Sequence, residues 1–301
     1  MSKFGRSTPL LKVIASLLFW LPGATPAQQD VAPEVEPETL VIRHYQAQER
    51  YRFGLEVLDL ALSKLGMPYE IITPPEQIMN EARGERYVIQ GKLDLEFMST
   101  TAQREASMIP VKIPVYQGIL GLRLLLATPE KRQALSQLRS VADLRQFVGG
   151  HGADWGDLPV YAANQLPVIT NSSYEALFHQ LAVGRFDYFH RGLNEIWDEA
   201  ERHKDKLLIV DEVALFYPQP VYFFVTKERP ELARQIEEGL RKAHADGSIR
   251  ALFLRQFGAF IEQANLENRH LIVLKNPEAS IDRLADMLWW MPESFRAKVE
   301  Q

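Results

Sequence analysis

Cysteine is absent from the 301 residues. That absence excludes disulfides, thiolate metal sites, a cysteine nucleophile and a lipid-modified cysteine near the N-terminus. Long apolar runs are missing as well. Nothing after residue 27 approaches the roughly 18 consecutive apolar residues of a membrane-spanning helix. Neither sign of charge dominates: 34 Lys+Arg face 39 Asp+Glu for a formal net charge of −5. With a sequence pI near 5.9 there is no basic footprint for nucleic acid. No internal repeat or low-complexity tract is visible. G-x-S-x-G, H-E-x-x-H, S-x-x-K and the kinase signature set are all lacking. The seven histidines (44, 151, 179, 190, 203, 244 and 270) are scattered without metal-ligand spacing. What is present is a 46% hydrophobic share, enough for a core, and an ordinary 24% of charged residues. The length suits one large or two small domains, and disorder, collagen and a multispan membrane protein are excluded.

The first segment reads as an address and not as fold. Lys3 and Arg6 form a basic start, and Val13 to Leu21 is an apolar run interrupted only by Ser16. Small and turn-forming residues follow, Pro22-Gly23-Ala24-Thr25-Pro26-Ala27. This order is that of a secretory signal peptide over residues 1–27, too short to span a bilayer. Its removal takes away three positive charges and leaves a formal charge of −8. Residues 28–37 are acidic, Pro-containing and free of aromatics, a flexible leader. The mature chain is therefore expected to be exported, soluble and acidic.

Beyond the leader, strands and helices alternate. Thr39–Tyr45, Tyr69–Ile72 and Leu93–Met98 read as strands, separated by helical patterns over Tyr51–Leu65 and Gln77–Gln90. Ile119–Ala127 is a long apolar strand ended by Thr128-Pro129, and Val221–Thr226 is another strong strand. Between them, helices are expected at Val141–Phe147 and Ser173–Val183, strands at Phe186–Phe189 and Leu207–Val210, and a helical run over 193–201. Helices then follow over Pro230–Asp246, Ser248–Phe257 and Ile281–Trp290. The pattern is α/β. A block inserted between two long strands gives two lobes joined by two crossings, with a cleft between them and hinge closure about the crossings.

Four segments carry a resemblance. They are Gly91-Lys92-Leu93-Asp94 followed by Thr101-Ala102-Gln103-Arg104, Ser140-Val141-Ala142-Asp143-Leu144 followed by Phe147-Val148-Gly149, Leu181-Ala182-Val183-Gly184-Arg185-Phe186-Asp187, and Ala245-Asp246-Gly247-Ser248. In order and spacing the chain over about residues 38–260 resembles the periplasmic solute-binding proteins of the polar amino-acid type (family 3, type II periplasmic-binding fold). The resemblance implies lobe 1 from residues 38–124 and 222–301, lobe 2 from 125–221, and a monomer. The function it implies is capture of a small solute for an ABC transporter permease or a membrane receptor, with no cofactor.

It also implies a site. Arg104 matches the arginine that grips the ligand's α-carboxylate, a bidentate, charge-assisted pairing. Ser99, Thr100 and Thr101 precede it and offer hydroxyl and backbone donors. The family's ammonium-binding Asp, about five positions after the Asp of G-R-x-D, is missing from Asp187-Tyr188-Phe189-His190-Arg191-Gly192. Arg191 lies beside its place, either facing an anionic ligand or pairing with Glu195. The expected solute is therefore anionic or amino-acid-like. His190 is a ligand contact or an interior residue. Trp155 caps the cleft or packs, Ser173 caps a helix or meets an anion, and Tyr45 and Tyr116 line the cleft or the core. The glycine-rich segment Gly149–Asp157 reads as a tight turn or as backbone N–H groups that approach an anion at a helix start, and His151 with Asp154 supplies too few ligands for a metal. Two other classes stay open: a ligand-free adaptor or sensor module, and a small-carboxylate dehydratase-like enzyme using His190 or Glu96 as acid or base.

Overall fold

The structure, a computed structural model, describes residues 39–74, 79–153, 155–279 and 287–300. The expected signal peptide and leader lie outside them, as does most of the helix expected over Ile281–Trp290. Strands fall into two groups. In the first, β1 (Leu40–Arg43) runs parallel to β2 (Tyr69–Ile72), and β3 (Leu95–Ser99) and β4 (Ile109–Val111) flank β10 (Val221–Val225), both antiparallel to it. The side-chain amide of Gln46 joins the two parts: it donates to the Phe97 carbonyl and accepts from the Phe97 N–H, both at 2.8 Å.

The second group is one sheet of six strands. Its members are β5 (Leu122–Ala127), β6 (Gly149–Gly152), β7 (Val168–Asn171), β8 (Tyr188–Gly192), β9 (Leu208–Phe216) and β11 (His270–Val273). They lie in the order β11-β9-β5-β8-β6-β7. β5 runs antiparallel to β8 and β9, while β6, β7 and β8 are mutually parallel through helical connections.

Two of the motif aspartates turn out to hold the frame. The buried Asp94 accepts from the Arg43 N–H at 2.7 Å and from the Arg43 guanidinium, and it pairs with Arg229. Asp187 accepts from the Val148 N–H at 2.7 Å in the same way. Each carboxylate pins the edge of a neighbouring strand, so the G-x-x-D and G-R-x-D patterns report fold and not ligand chemistry.

Two short connections join the sheet groups. A turn at Ile119–Gly121 leads into β5, so the expected strand Ile119–Ala127 begins three residues late. The chain returns through Tyr217–Pro220, and the Tyr217 N–H donates to the Gly121 carbonyl at 3.2 Å. A Cβ at residue 121 would stand 1.9 Å from the Tyr217 carbonyl oxygen, so only glycine permits this approach.

Two further differences have physical causes. Gly149–Gly152, expected as a turn, is a fully buried central strand. The rings of Tyr188 and Phe186 occupy the space that side chains on Gly149 and Gly150 would need. A short helix over Leu158–Ala163, with Pro159 in its first turn, follows that strand. Residues 261–301, expected in lobe 1, are not confined there: β11 pairs in parallel with Val213–Phe216 of β9, a stretch whose apolar residues need a partner on that side. From β11 the chain returns toward the first group. Asn276 donates to the Pro218 carbonyl, Trp290 Nε1 donates to the Gln117 carbonyl, and Trp289 and Trp290 lie 5.4 and 5.9 Å from Phe253. A helix at Glu293–Val299 follows that the sequence pattern did not announce. Among the described residues no helix is long and apolar enough to cross a membrane.

Candidate functional site

A cavity of about 660 Å³ lies between the two sheet groups. The first group supplies Tyr51, Phe53, Ser99, Arg104, Tyr116 and Phe257, and the second supplies Arg123, Gly156, Asn194 and Glu195. Its apolar wall is aromatic. Phe53 packs on Tyr116 at 5.2 Å and on Phe257 at 4.9 Å, and Tyr51 meets Phe97 edge-on at 5.8 Å. Such packing stiffens the wall and presents flat faces to a ligand. A more open groove of about 690 Å³ is bounded by His44, Leu55, Ile71, Leu252 and other residues on the first side alone, with none of the expected site residues.

Arg104 reaches the cavity from a short helix, Ala102–Ser107, whose N-cap is Thr101; the Thr101 hydroxyl accepts from the Arg104 N–H at 3.1 Å. The guanidinium donates from Nη1 to the Ser99 carbonyl at 2.8 Å, and from Nε and Nη2 to one oxygen of Glu85. The pair is partly exposed, at 19% and 20% for the two side chains. Of the three hydroxyl residues before it, only Ser99 lines the cavity. The buried Thr100 donates to Glu105, and Thr101 is committed to its cap.

Several expected contacts are placed elsewhere. Tyr45 is buried behind the wall, donating to Glu96 at 2.9 Å. Ser173 caps the helix Tyr174–Ala182 from an exposed position. Arg191 is not a free cation. Its Nε and Nη2 grip both oxygens of the buried Glu199 at 2.7 to 3.0 Å, and Nη2 also reaches Glu195 at 2.8 Å. Its guanidinium lies 4.9 Å from the ring of Trp155, which itself stacks on Phe189. A buried, bidentate, cation–π-backed arginine is satisfied already, which removes the argument for an anion-seeking Arg191. Trp155, His190 and Arg191 line a smaller chamber of about 330 Å³ that shares Arg123 and Glu195 with the main cavity.

Arg123 and Asp157 were missed. Arg123 is the single charge inside the apolar strand β5, and that isolation was the available signal. It donates from Nε to the Tyr217 hydroxyl at 2.7 Å, and from Nη2 to Asp157 at 3.0 Å and Gln219 at 3.2 Å. Burial would raise the Asp157 carboxyl, but a proton on His151 Nε2 together with the Arg123 guanidinium would hold it well below the ordinary carboxylate range. Glu96 behaves in the opposite way. Burial pushes it up to about 7, although the Tyr45 hydrogen bond pulls it down. Neither Glu96 nor His190 lines the main cavity, so the two acid–base suspects have no direct access to a solute there.

No family model matches the chain, and no curated protein matches it significantly. Solved structures do. One is the probable amino-acid ABC transporter extracellular-binding protein ytmK from Bacillus subtilis, at 17% identity over 74% of this chain and 98% of that one, with a TM-score of 0.55. Another is a Salmonella typhimurium periplasmic binding protein described for its high arginine specificity, at 16% identity over 73% and 99%, with a TM-score of 0.50. The chain shares their mixed α/β, type II periplasmic-binding-protein-like fold.

Proposed function

We propose that the chain is a periplasmic solute-binding protein that captures a small amino-acid-like solute between its two lobes and passes it to a membrane transporter. The observation that carries this reading is the cavity of about 660 Å³ lined from both sheet groups, with Arg104 and an aromatic wall on one side. Support comes from the fold shared with substrate-binding proteins of amino-acid transporters. Lobe closure about the crossings at 119–121 and 217–220 would bring the two sides onto the solute.

The solute class follows from the charges. Arg50, Arg52, Arg104 and Arg123 border the cavity, and so do Glu49, Glu81 and Glu195. A purely anionic ligand would face three carboxylates. A ligand with a carboxylate for Arg104 and an ammonium for Glu195 matches both signs. Glu195 stands on the second side, in the role of the aspartate missing after Asp187.

The test is a thermal-shift panel of amino acids, dicarboxylates, other small anions and short peptides. A ligand at about 100 times its dissociation constant stabilises the protein by roughly 2.7 kcal/mol. Amino acids are expected to shift the melting temperature by several degrees, and Arg104→Ala is expected to abolish the shift. An unchanged shift in Arg104→Ala rejects this site. No shift with any compound favours the adaptor or sensor reading, since each cavity arginine already has a protein carboxylate within reach.

A further inference from the structure

We propose that His151, Asp157 and His190 form a binding site for a divalent transition metal such as zinc, with one coordination position open to the smaller chamber. The three come from different places in the chain. His151 lies on β6, His190 on the adjacent β8, and Asp157 in the turn before the helix Leu158–Ala163. Each offers a ligand atom within 4.8 Å of the other two, and all three residues are buried. His151 Nε2 and Asp157 Oδ1 are 3.3 Å apart. That is about the spacing of two ligands held tetrahedrally at roughly 2.0–2.1 Å from one zinc ion.

Hydrogen bonding already favours a ligand state. His151 Nδ1 lies 2.8 Å from the Gly152 carbonyl, which can only accept, so Nδ1 carries the hydrogen. In the neutral ring Nε2 is then a lone pair aimed at a carboxylate oxygen, and it makes no hydrogen bond. A backbone carbonyl holding the far nitrogen is the usual outer support of a metal-binding histidine. On Asp157, Arg123 and the Tyr217 hydroxyl occupy Oδ2 and leave Oδ1 toward His151. Among the described residues neither ring nitrogen of His190 has a partner, and the residue is 1% exposed. A buried polar group left unpaired is costly, and coordination would satisfy it.

Charge and donor chemistry agree. Arg123 and Arg191 bring two positive charges to the chamber, and Asp157, Glu195 and Glu199 bring three negative ones. A divalent ion changes the sum from −1 to +1, which a hydroxide or another small anion at the open position balances. Two imidazoles and a carboxylate suit zinc and its first-row neighbours, not calcium or magnesium. The site does not depend on the solute reading.

The purified protein, stripped with a chelator, is titrated with Zn²⁺ by calorimetry and with Co²⁺ by visible absorption. One ion per chain is expected, with cobalt bands of a nitrogen–oxygen site. His190→Asn and His151→Gln are each expected to weaken binding at least tenfold. Folding of each variant is checked by circular dichroism. Where a variant fails to fold, the histidine ¹⁵N shifts of the unaltered protein decide: zinc should move His151 Nε2 and one nitrogen of His190. Lack of uptake by the folded protein overturns the site. So do unchanged binding in both folded variants and a His151 ring that stays doubly protonated with zinc present.

Discussion

The two sides of the cavity keep their charges differently. On the second side the cations are sealed: Arg191 is bound by Glu199 and Glu195, and Arg123 by Asp157, Tyr217 and Gln219. On the first side Arg104 leans on one oxygen of a partly exposed glutamate, and among the described residues the buried Glu96 is hydrogen-bonded by a tyrosine hydroxyl alone. A sealed pair is a fixed part of the frame, because separating it strands a charge in a low dielectric. A loose pair can exchange its carboxylate for a ligand's at little cost. Of the two alternatives the sequence left for Arg191, the structure shows the ion-paired one, while Arg104 keeps a looser carboxylate partner.

Removing Arg191 tests the sealed side and should have the largest effect. Arg191→Ala leaves the buried Glu199 without its ion-pair partner and with only the Tyr174 hydroxyl among the described residues, and about 3–5 kcal/mol of stability should be lost in chemical denaturation. A loss below about 1 kcal/mol would erase the contrast between the two sides.

Glu96→Gln probes the buried carboxylate that has no ion pair among the described residues. Between the ordinary value near 4.5 and about 7, the folded state keeps a proton that the unfolded chain has released. Stability therefore falls as pH rises through that window, by on the order of 3 kcal/mol, and Glu96→Gln should remove this decline. His44 works the other way. Burial pushes it down to about 4, so stability from this group rises with pH from about 4 to 6.5. The difference between variant and parent at each pH isolates Glu96 where the bulk profile would mix the two.

Gly150→Ala tests the frame behind the sealed side. Its Cβ would stand 2.3 Å from the Phe186 ring, and repacking should cost about 1–3 kcal/mol, read as a lower denaturant midpoint. Arg104→Ala comes last in stability, at about 0–1 kcal/mol, with a melting temperature close to that of the parent.

How much of this was legible in the chain divides by range. Periodicity and caps located the helix Arg52–Ser63 and the strand Tyr69–Ile72 because those signals are local. Gly149–Gly152 was misread because glycine marks a turn wherever nothing fills the space above it, and here distant rings fill it. Arg104 was visible through its motif. The bond from Arg191 to Glu199 spans eight residues and a change of element, beyond the reach of a helical-spacing argument. Asp157 and Glu195 gained meaning only when β5, β6 and β8 came together. Tyr45 and Ser173 were plausible by position, and what decided them was the direction of a single side chain, toward Glu96 and toward its own helix.

β9 finds its outer neighbour in β11, a strand 54 residues further along that is reached only after the long helices Pro230–Ala245 and Ser248–Ala264. Whatever the order in which the chain folds, the six-stranded sheet lacks this edge strand until residues 270–273 dock on β9. Until then the apolar residues of β9 present an unpaired edge, the kind of surface on which nascent chains stick to one another. Docking of β11 is thus the step that covers this edge of the sheet.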